Sequence, residues 1–143
     1  KNTLGHLAYI LEGVKELPNI RPRYMKFVSD GNVYEDEWLF GAVSNSTSLG
    51  GIVRLNEGIV DFSDGLFEVM LIRNPKSALE LSKIVLSLQT KKYDEDVIIF
   101  FKSSELCVTT DGDTHWSLDG EFYAGSENIA VKNIHHAIRF ITR

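Results

Sequence analysis

Leu118-Asp119-Gly120-Glu121 puts two carboxylates and a glycine into four residues, between Trp116 and the aromatic pair Phe122-Tyr123. Successive residues of a strand point to opposite faces, so Asp119 and Glu121, two apart, project to the same side wherever the backbone stays extended. Two acids held that close can grip a cation, or one can raise the pKa of the other and equip it as a proton acceptor. The expectation is that Glu121 does the chemistry, with Asp119 beside it. Asp-Gly is also a common turn dipeptide, so a plain turn at a strand end is the alternative.

Two further segments carry candidate groups. Asn45-Ser46-Thr47-Ser48-Leu49-Gly50-Gly51 is rich in hydroxyls and closed by paired glycines, which permits close backbone approach to a ligand but is also ordinary loop composition. Its Asn45-Ser46-Thr47 matches the glycosylation acceptor pattern, discounted because nothing in the sequence indicates secretion. In Asp61-Phe62-Ser63-Asp64-Gly65-Leu66-Phe67, Asp64 can offer a carboxylate to a hard cation while the bent backbone around Gly65 turns carbonyls toward the same point. An Asp-Gly turn is again the simpler reading.

Other polar groups carry less. Asp111-Gly112-Asp113 has the opening of a calcium loop but no glutamate at the required distance, and reads as a hairpin. The adjacency of His135 and His136 sends their rings in different directions and disfavours chelation. His6 reads as a surface or hydrogen-bonded histidine. There is no Gly-rich phosphate loop, Cys-x-x-Cys pair or His-Glu-x-x-His helix, so an independent nucleotide site is not supported.

The elements that must position these groups are mostly strands. A chain of 143 residues is one domain's length, and 43% hydrophobic content fits a globular protein. Leu4 to Leu17 has the stripe of an amphipathic helix, capped by Thr3 and followed by Pro18. Arg21 to Ser29 alternates as a strand, Asp30-Gly31-Asn32 has hairpin-turn chemistry, and Val33 to Val43 returns. The second half of that return, Trp38 to Val43, is apolar on both faces and predicts a central, doubly covered strand.

A strand over Glu68 to Ile72 follows the Asp64 segment. Asn74 and Pro75 read as the cap and first turn of a second helix, running to about Gln89 with Leu79, Ile84, Val85 and Leu88 on its apolar surface. Short strands are predicted at Val97–Phe101, Glu105–Thr110, His115–Leu118, Glu121–Tyr123, Asn128–Val131 and Ala137–Ile141. That spacing predicts a mainly β domain, a sandwich or barrel.

Composition narrows the function. The 15 basic and 20 acidic residues give a net charge of −5 with no dense basic run, so nucleic acid is not an expected partner. The single cysteine, Cys107, allows no internal disulfide and is read as buried. No apolar stretch approaches the roughly 18 residues of a membrane span, and no signal peptide opens the chain. A soluble, cytoplasmic protein is expected. The opening Lys1-Asn2-Thr3 leads to the expectation of a fragment cut from something longer.

In their order and separations, Asn45–Gly51, Asp64-Gly-Leu-Phe67 and Leu118-Asp-Gly-Glu121 together resemble the C-terminal half of soluble bacterial diacylglycerol kinase-like lipid kinases, relatives of the sphingosine and ceramide kinases. The opening helix with Leu7-Ala8-Tyr9 and Gly13 is similar to the start of that half, and Asn133 to Arg139 to its closing strands. The family often has a Pro-x-Ala turn where this chain has Asn56-Glu57-Gly58, and a second Asp where it has Ser63.

The resemblance implies a C-terminal β-sandwich domain of the NAD kinase/diacylglycerol kinase-like fold over residues 1–143, with two helices. It also implies a separate N-terminal domain of the same polypeptide, carrying the nucleotide-binding motif. By the same resemblance Glu121 is the proton acceptor, and Asp119 the neighbouring acid. Asn45 and Ser46 lie near the interdomain cleft. Asp64, with backbone oxygens of Asp61 and Leu66, matches a structural Mg²⁺ site. ATP is the donor, diacylglycerol or a similar lipid alcohol the acceptor, and membrane contact is peripheral; the state of the parent, homodimer or not, stays open. Two alternatives remain: a non-catalytic lipid- or partner-binding β-sandwich, and an NAD kinase-like phosphotransferase domain.

Overall fold

The computed structural model describes residues 21–49, 53–56, 58–139 and 141. The expected opening helix with His6, and Gly50-Gly51, lie outside the described residues. What is described is mainly antiparallel β, as expected. The strands are β1 (Arg23–Ser29), β2 (Asn32–Ser44), β3 (Ser48–Leu49), β4 (Val53–Arg54), β5 (Phe67–Arg73), β6 (Ile98–Ser103), β7 (Glu105–Thr109), β8 (Trp116–Leu118), β9 (Glu121–Tyr123) and β10 (Asn128–Lys132), with one described helix, α1 (Ala78–Thr90), between β5 and β6. Six strands form one sheet in the order β10-β7-β1-β2-β5-β6, and β3-β4 and β8-β9 are separate two-stranded pairs.

The first hairpin shows why the chain folds as its pattern predicts. Asp30 and Gly31 both have positive φ, 50° and 79°. Two such residues make the turn whose twist matches that of paired strands, and Ser29 faces Asn32 directly. From there β2 runs the length of the sheet, and its register shifts between Trp38 and Phe40 where it meets β5.

Side chains alternate across this sheet into two cores. On one face Met70 and Ile72 of β5 join Leu49, Val53, Leu55, Val97, Ile98 and the helix residue Ile84. On the other, Val69 and Leu71 join Met25, Phe27, Trp38, Leu106 and Val108. β2 contributes to both, with Phe40 and Ala42 on the first face and Trp38 and Val43 on the second, so it is doubly covered as expected. β5 is more completely buried, with Val69, Met70 and Leu71 fully inside. Trp38 anchors the second core: it is buried, its indole N–H donates to the Met25 carbonyl at 2.9 Å, and the Phe27 ring meets it edge-on.

Five expectations are corrected. The helix is capped by Ser77, whose hydroxyl accepts from the Glu80 N–H at 3.1 Å while the Glu80 carboxylate accepts from the Lys76 N–H. This is the Ser-x-x-Glu capping pattern; Asn74 instead bonds back to Glu37 of β2. Leu79 therefore lies on the solvent side, while Ile84 and Leu88 reach the core. Cys107 is exposed, because Leu106 and Val108 take the inward positions of β7.

The Asp111 turn does not close a hairpin, since β7 pairs with β1 and β10 and β8 pairs with β9. Asp111 instead accepts from the Asp113 N–H and the Thr114 hydroxyl, both at 3.0 Å, and holds the bend that launches β8. Finally, Ala137, Ile138, Arg139 and Ile141 form no strand, because the chain leaves β10 into a turn at His135-His136.

Candidate functional site: an acidic hairpin beside an apolar groove

Asp119 and Gly120, with φ of 51° and 92°, form the two-residue turn of the β8-β9 hairpin. The backbone is thus not extended between Asp119 and Glu121, and they do not share a face by simple alternation. The turn reading holds at these residues. It still places both acids usefully: Asp119 sits in the turn, and Glu121 opens β9 directly opposite Leu118.

Directly opposed residues of an antiparallel pair share a face, as do residues two apart. Trp116, Leu118, Glu121 and Tyr123 therefore lie on one side of the hairpin, and Ser117 and Phe122 on the other. Trp116, Leu118 and Tyr123, together with Asp119 and Ser46, line a groove of about 1120 Å³. Val43, Phe67, Ile129 and Val131, which also pack on the second core, line it too. Glu121 itself is exposed and does not line this groove; it stands directly opposite Leu118, which does.

A second cluster surrounds Asp64. One Asp64 oxygen accepts from the Leu66 N–H at 2.8 Å and the other from the Lys102 ammonium at 2.9 Å. The Lys102 hydrogen bond, and then that from Leu66, hold the Asp64 carboxyl below the usual carboxylate range, and Asp64 in turn raises the Lys102 pKa. Asp61 accepts from both the hydroxyl and the N–H of Ser63, which lowers its pKa, and its carbonyl accepts from the Asp64 N–H at 3.3 Å. The Asn45 amide reaches the Phe62 carbonyl at 3.5 Å, tying the polar loop to this turn.

His135 closes over the turn from the far end of the chain. Its Nε2 lies 2.8 Å from the Ser63 carbonyl; a carbonyl only accepts, so Nε2 carries the proton. Contrary to the expectation from their adjacency, the rings of His135 and His136 lie against each other, 3.7 Å between centroids and tilted by 32°, because they sit in a turn rather than on a strand. Sequence reasoning missed His135, Lys102 and Glu68 here. Glu68 left one signal, a charge inside an otherwise apolar strand.

The predicted residues thus fall into two groups. Asn45, Asp61, Asp64 and Leu66 belong to the turn; Ser46, Asp119 and Glu121 belong to the groove and its hairpin. Among the described residues no three His, Cys, Asp or Glu side chains gather as a metal cluster. The turn nevertheless offers oxygen donors of the kind magnesium takes. Beside it the buried Glu68 carboxylate makes no hydrogen bond, which leaves negative charge in excess and fits a hard cation.

A mainly antiparallel β domain with an acidic hairpin along its groove is the class of protein that these features define. The family model described as YegS C-terminal NAD kinase beta sandwich-like domain matches residues 1–141, and the chain belongs to that family. It is similar to diacylglycerol kinase of Bacillus subtilis (strain 168), 28% identical over 122 residues that make up 85% of this chain and 40% of the relative. It is also similar to diacylglycerol kinase of Staphylococcus aureus (strain JH9), 24% identical over 123 residues, 85% of this chain and 38% of that one. The chain therefore spans about two fifths of these relatives.

Two solved structures from Bacillus anthracis str. Sterne share the fold. One, a diacylglycerol kinase, aligns at TM-score 0.52 with 17% identity, over 85% of this chain and 44% of its own. The other aligns at TM-score 0.61 with 20% identity, over 87% and 41%. The relatives' names suggest a kinase-type enzyme family. No described helix is long and apolar enough to cross a membrane.

Proposed function

We propose that this domain is the C-terminal part of a lipid kinase that transfers the terminal phosphate of ATP to the hydroxyl of diacylglycerol or a similar lipid alcohol. The observation that carries the reading is the position of Glu121 directly opposite Leu118, a residue that lines an apolar groove. An acid at the edge of an apolar channel is where a lipid's hydroxyl would meet a proton acceptor while its chains stay out of water.

In this reading the hydroxyl gives its proton to the Glu121 carboxylate as its oxygen bonds to the terminal phosphorus and the bond to the departing ADP breaks. Phosphoryl transfer draws mainly on positioning and charge neutralisation. Asp119, held in the turn next to Glu121, fixes the angle of the hairpin and adds charge to the site. Ser46 lies along the groove, and Asn45 ties the same loop to the Asp64 turn. A separate nucleotide-binding domain of the same polypeptide would bring ATP. Asp64, with the Asp61 and Leu66 backbone oxygens, would hold a structural magnesium ion, which when bound supplies positive charge to that turn. Leu118 and Phe122 are exposed on opposite faces of the hairpin and would be its points of contact with a lipid surface.

A second reading keeps the fold and takes NAD as acceptor; its support is that the family's description likens this sandwich to that of NAD kinase. Phosphate transfer from labelled ATP by the full-length protein, offered diacylglycerol in mixed micelles or NAD, separates the two. Labelled lipid supports the lipid kinase, and labelled NAD alone replaces it.

A further inference from the structure

Glu68 is the second residue of β5, and the next four residues, Val69 to Ile72, are all buried and apolar. Its own side chain is fully buried, and among the described residues neither carboxylate oxygen makes a hydrogen bond. Burying a carboxylate is costly unless it is paired or coordinates a metal. What lies near it is therefore informative.

Lys102 stands directly opposite Glu68 on β6. Its ammonium is 3.3 Å from one Glu68 oxygen, an ion-pair distance, and 2.9 Å from Asp64, to which it donates a hydrogen bond. One positive charge thus sits between two carboxylates, and the second Glu68 oxygen has no donor among the described residues. The Asp64 side chain retains some solvent contact, as does that of Lys102. A cation can reach the pair from solvent, and the flexible lysine stem can withdraw into it.

We propose that Glu68 joins Asp64 in a divalent-cation site, and that the Lys102 ammonium holds the two carboxylates when the cation is away. Lys102 and the cation then exclude one another. The inference rests on the magnesium reading of the Asp64 turn and adds to it a second carboxylate and an internal competitor. A hard divalent ion satisfies carboxylate oxygens that a single ammonium leaves over. The exchange also explains an acidic residue at the head of an apolar strand, where packing alone would place a valine or leucine.

The test is Mn²⁺ binding to the full-length protein without nucleotide, followed by electron paramagnetic resonance, for wild type, Asp64→Asn, Glu68→Gln and Lys102→Met. Glu68→Gln and Asp64→Asn should each weaken binding by at least the roughly tenfold that loss of even an outer partner costs. Lys102→Met should tighten it, and Mn²⁺ should raise that variant's melting temperature more than the wild type's. Should Lys102→Met fail to fold, Glu68→Gln, which keeps the Lys102–Asp64 pair, carries the test. Wild-type affinity in Glu68→Gln, with binding lost in Asp64→Asn, overturns the role of Glu68 and leaves the Asp64 reading standing. Binding that is indifferent to all three substitutions overturns both.

Discussion

Leu118 and Glu121 face each other across the Asp119-Gly120 turn, so the proposed base is the first residue of a returning strand. Its backbone direction is fixed by a two-residue turn with both φ values positive, and its face is fixed by Trp116 and Tyr123, which are paired farther down the same hairpin. The position of Glu121 is set by local turn chemistry and by the packing of Trp116 on the second core.

Substituting Gly120 should therefore disturb the site at a distance from any reacting group. Gly120 has φ of 92°, and its Cβ direction is open space, so the cost of Gly120→Val is backbone strain rather than a clash. Strain of that kind is worth about 1–2 kcal/mol. The variant should melt a few degrees lower and lose activity out of proportion to that shift. Melting curves measured beside turnover check this; full activity would mean that the hairpin angle is not critical.

The bend that launches the hairpin should be acid-sensitive. The Thr114 hydroxyl bond, with support from the Asp113 N–H and Arg23, lowers the Asp111 pKa from its ordinary 3.8. A depressed carboxylate stabilises the fold above its unfolded pKa, and that contribution is lost as pH falls through the lower, folded value. Exchange of the Asp113 amide, which donates to Asp111, should thus accelerate relative to its intrinsic rate in wild type on acidification below 3.8. Asp111→Asn should show that acceleration already at neutral pH, and equal exchange in the two proteins would refute the assignment.

The second core should depend on one ring. Trp38 is 2% exposed and satisfies its indole N–H within the core, so Trp38→Ala should cost about 3–5 kcal/mol. Chemical denaturation gives the value; a loss under about 1 kcal/mol would show that the site collapses around the gap.

At the helix start, Ser77→Ala removes the cap of the Glu80 N–H and should cost about 1 kcal/mol. The same substitution at Asn74 should leave helix content unchanged, since its amide bonds to Glu37 instead. Circular dichroism of the two variants distinguishes these outcomes.

Much of this fold was legible because its signals are local. Asp30-Gly31 and Asp119-Gly120 announce turns by residue type alone, and β1, β2 and β5 to β10 follow from alternating or continuous apolar runs between such turns. The helix cap was misread because Asn74-Pro75 imitates a helix start, while Ser77-x-x-Glu80 three residues later satisfies the end groups better. Cys107 was misplaced because a strand's inward face is decided by its neighbours, Leu106 and Val108, not by the cysteine's own preference.

The site was legible in its residues and not in its grouping. Asp64 and Glu121 are singled out by their glycine turns. Lys102 reaches Asp64 and Glu68 through strand pairing, and His135 reaches the turn by a returning tail, long-range relationships that leave no periodic trace.

The most direct test of the lipid-kinase reading is transfer of labelled phosphate from ATP to diacylglycerol by the full-length protein and its Glu121→Gln variant, with melting temperatures measured in parallel. Glu121 is exposed, so the substitution should change stability by no more than about 0.5 kcal/mol. Loss of a general base should lower turnover by about 10²-fold or more. Labelled lipid from the wild type, with that loss in an equally stable variant, is the predicted result. Equal turnover in the two proteins would remove Glu121 from the mechanism, and no transfer to any lipid alcohol would contradict the proposed function itself.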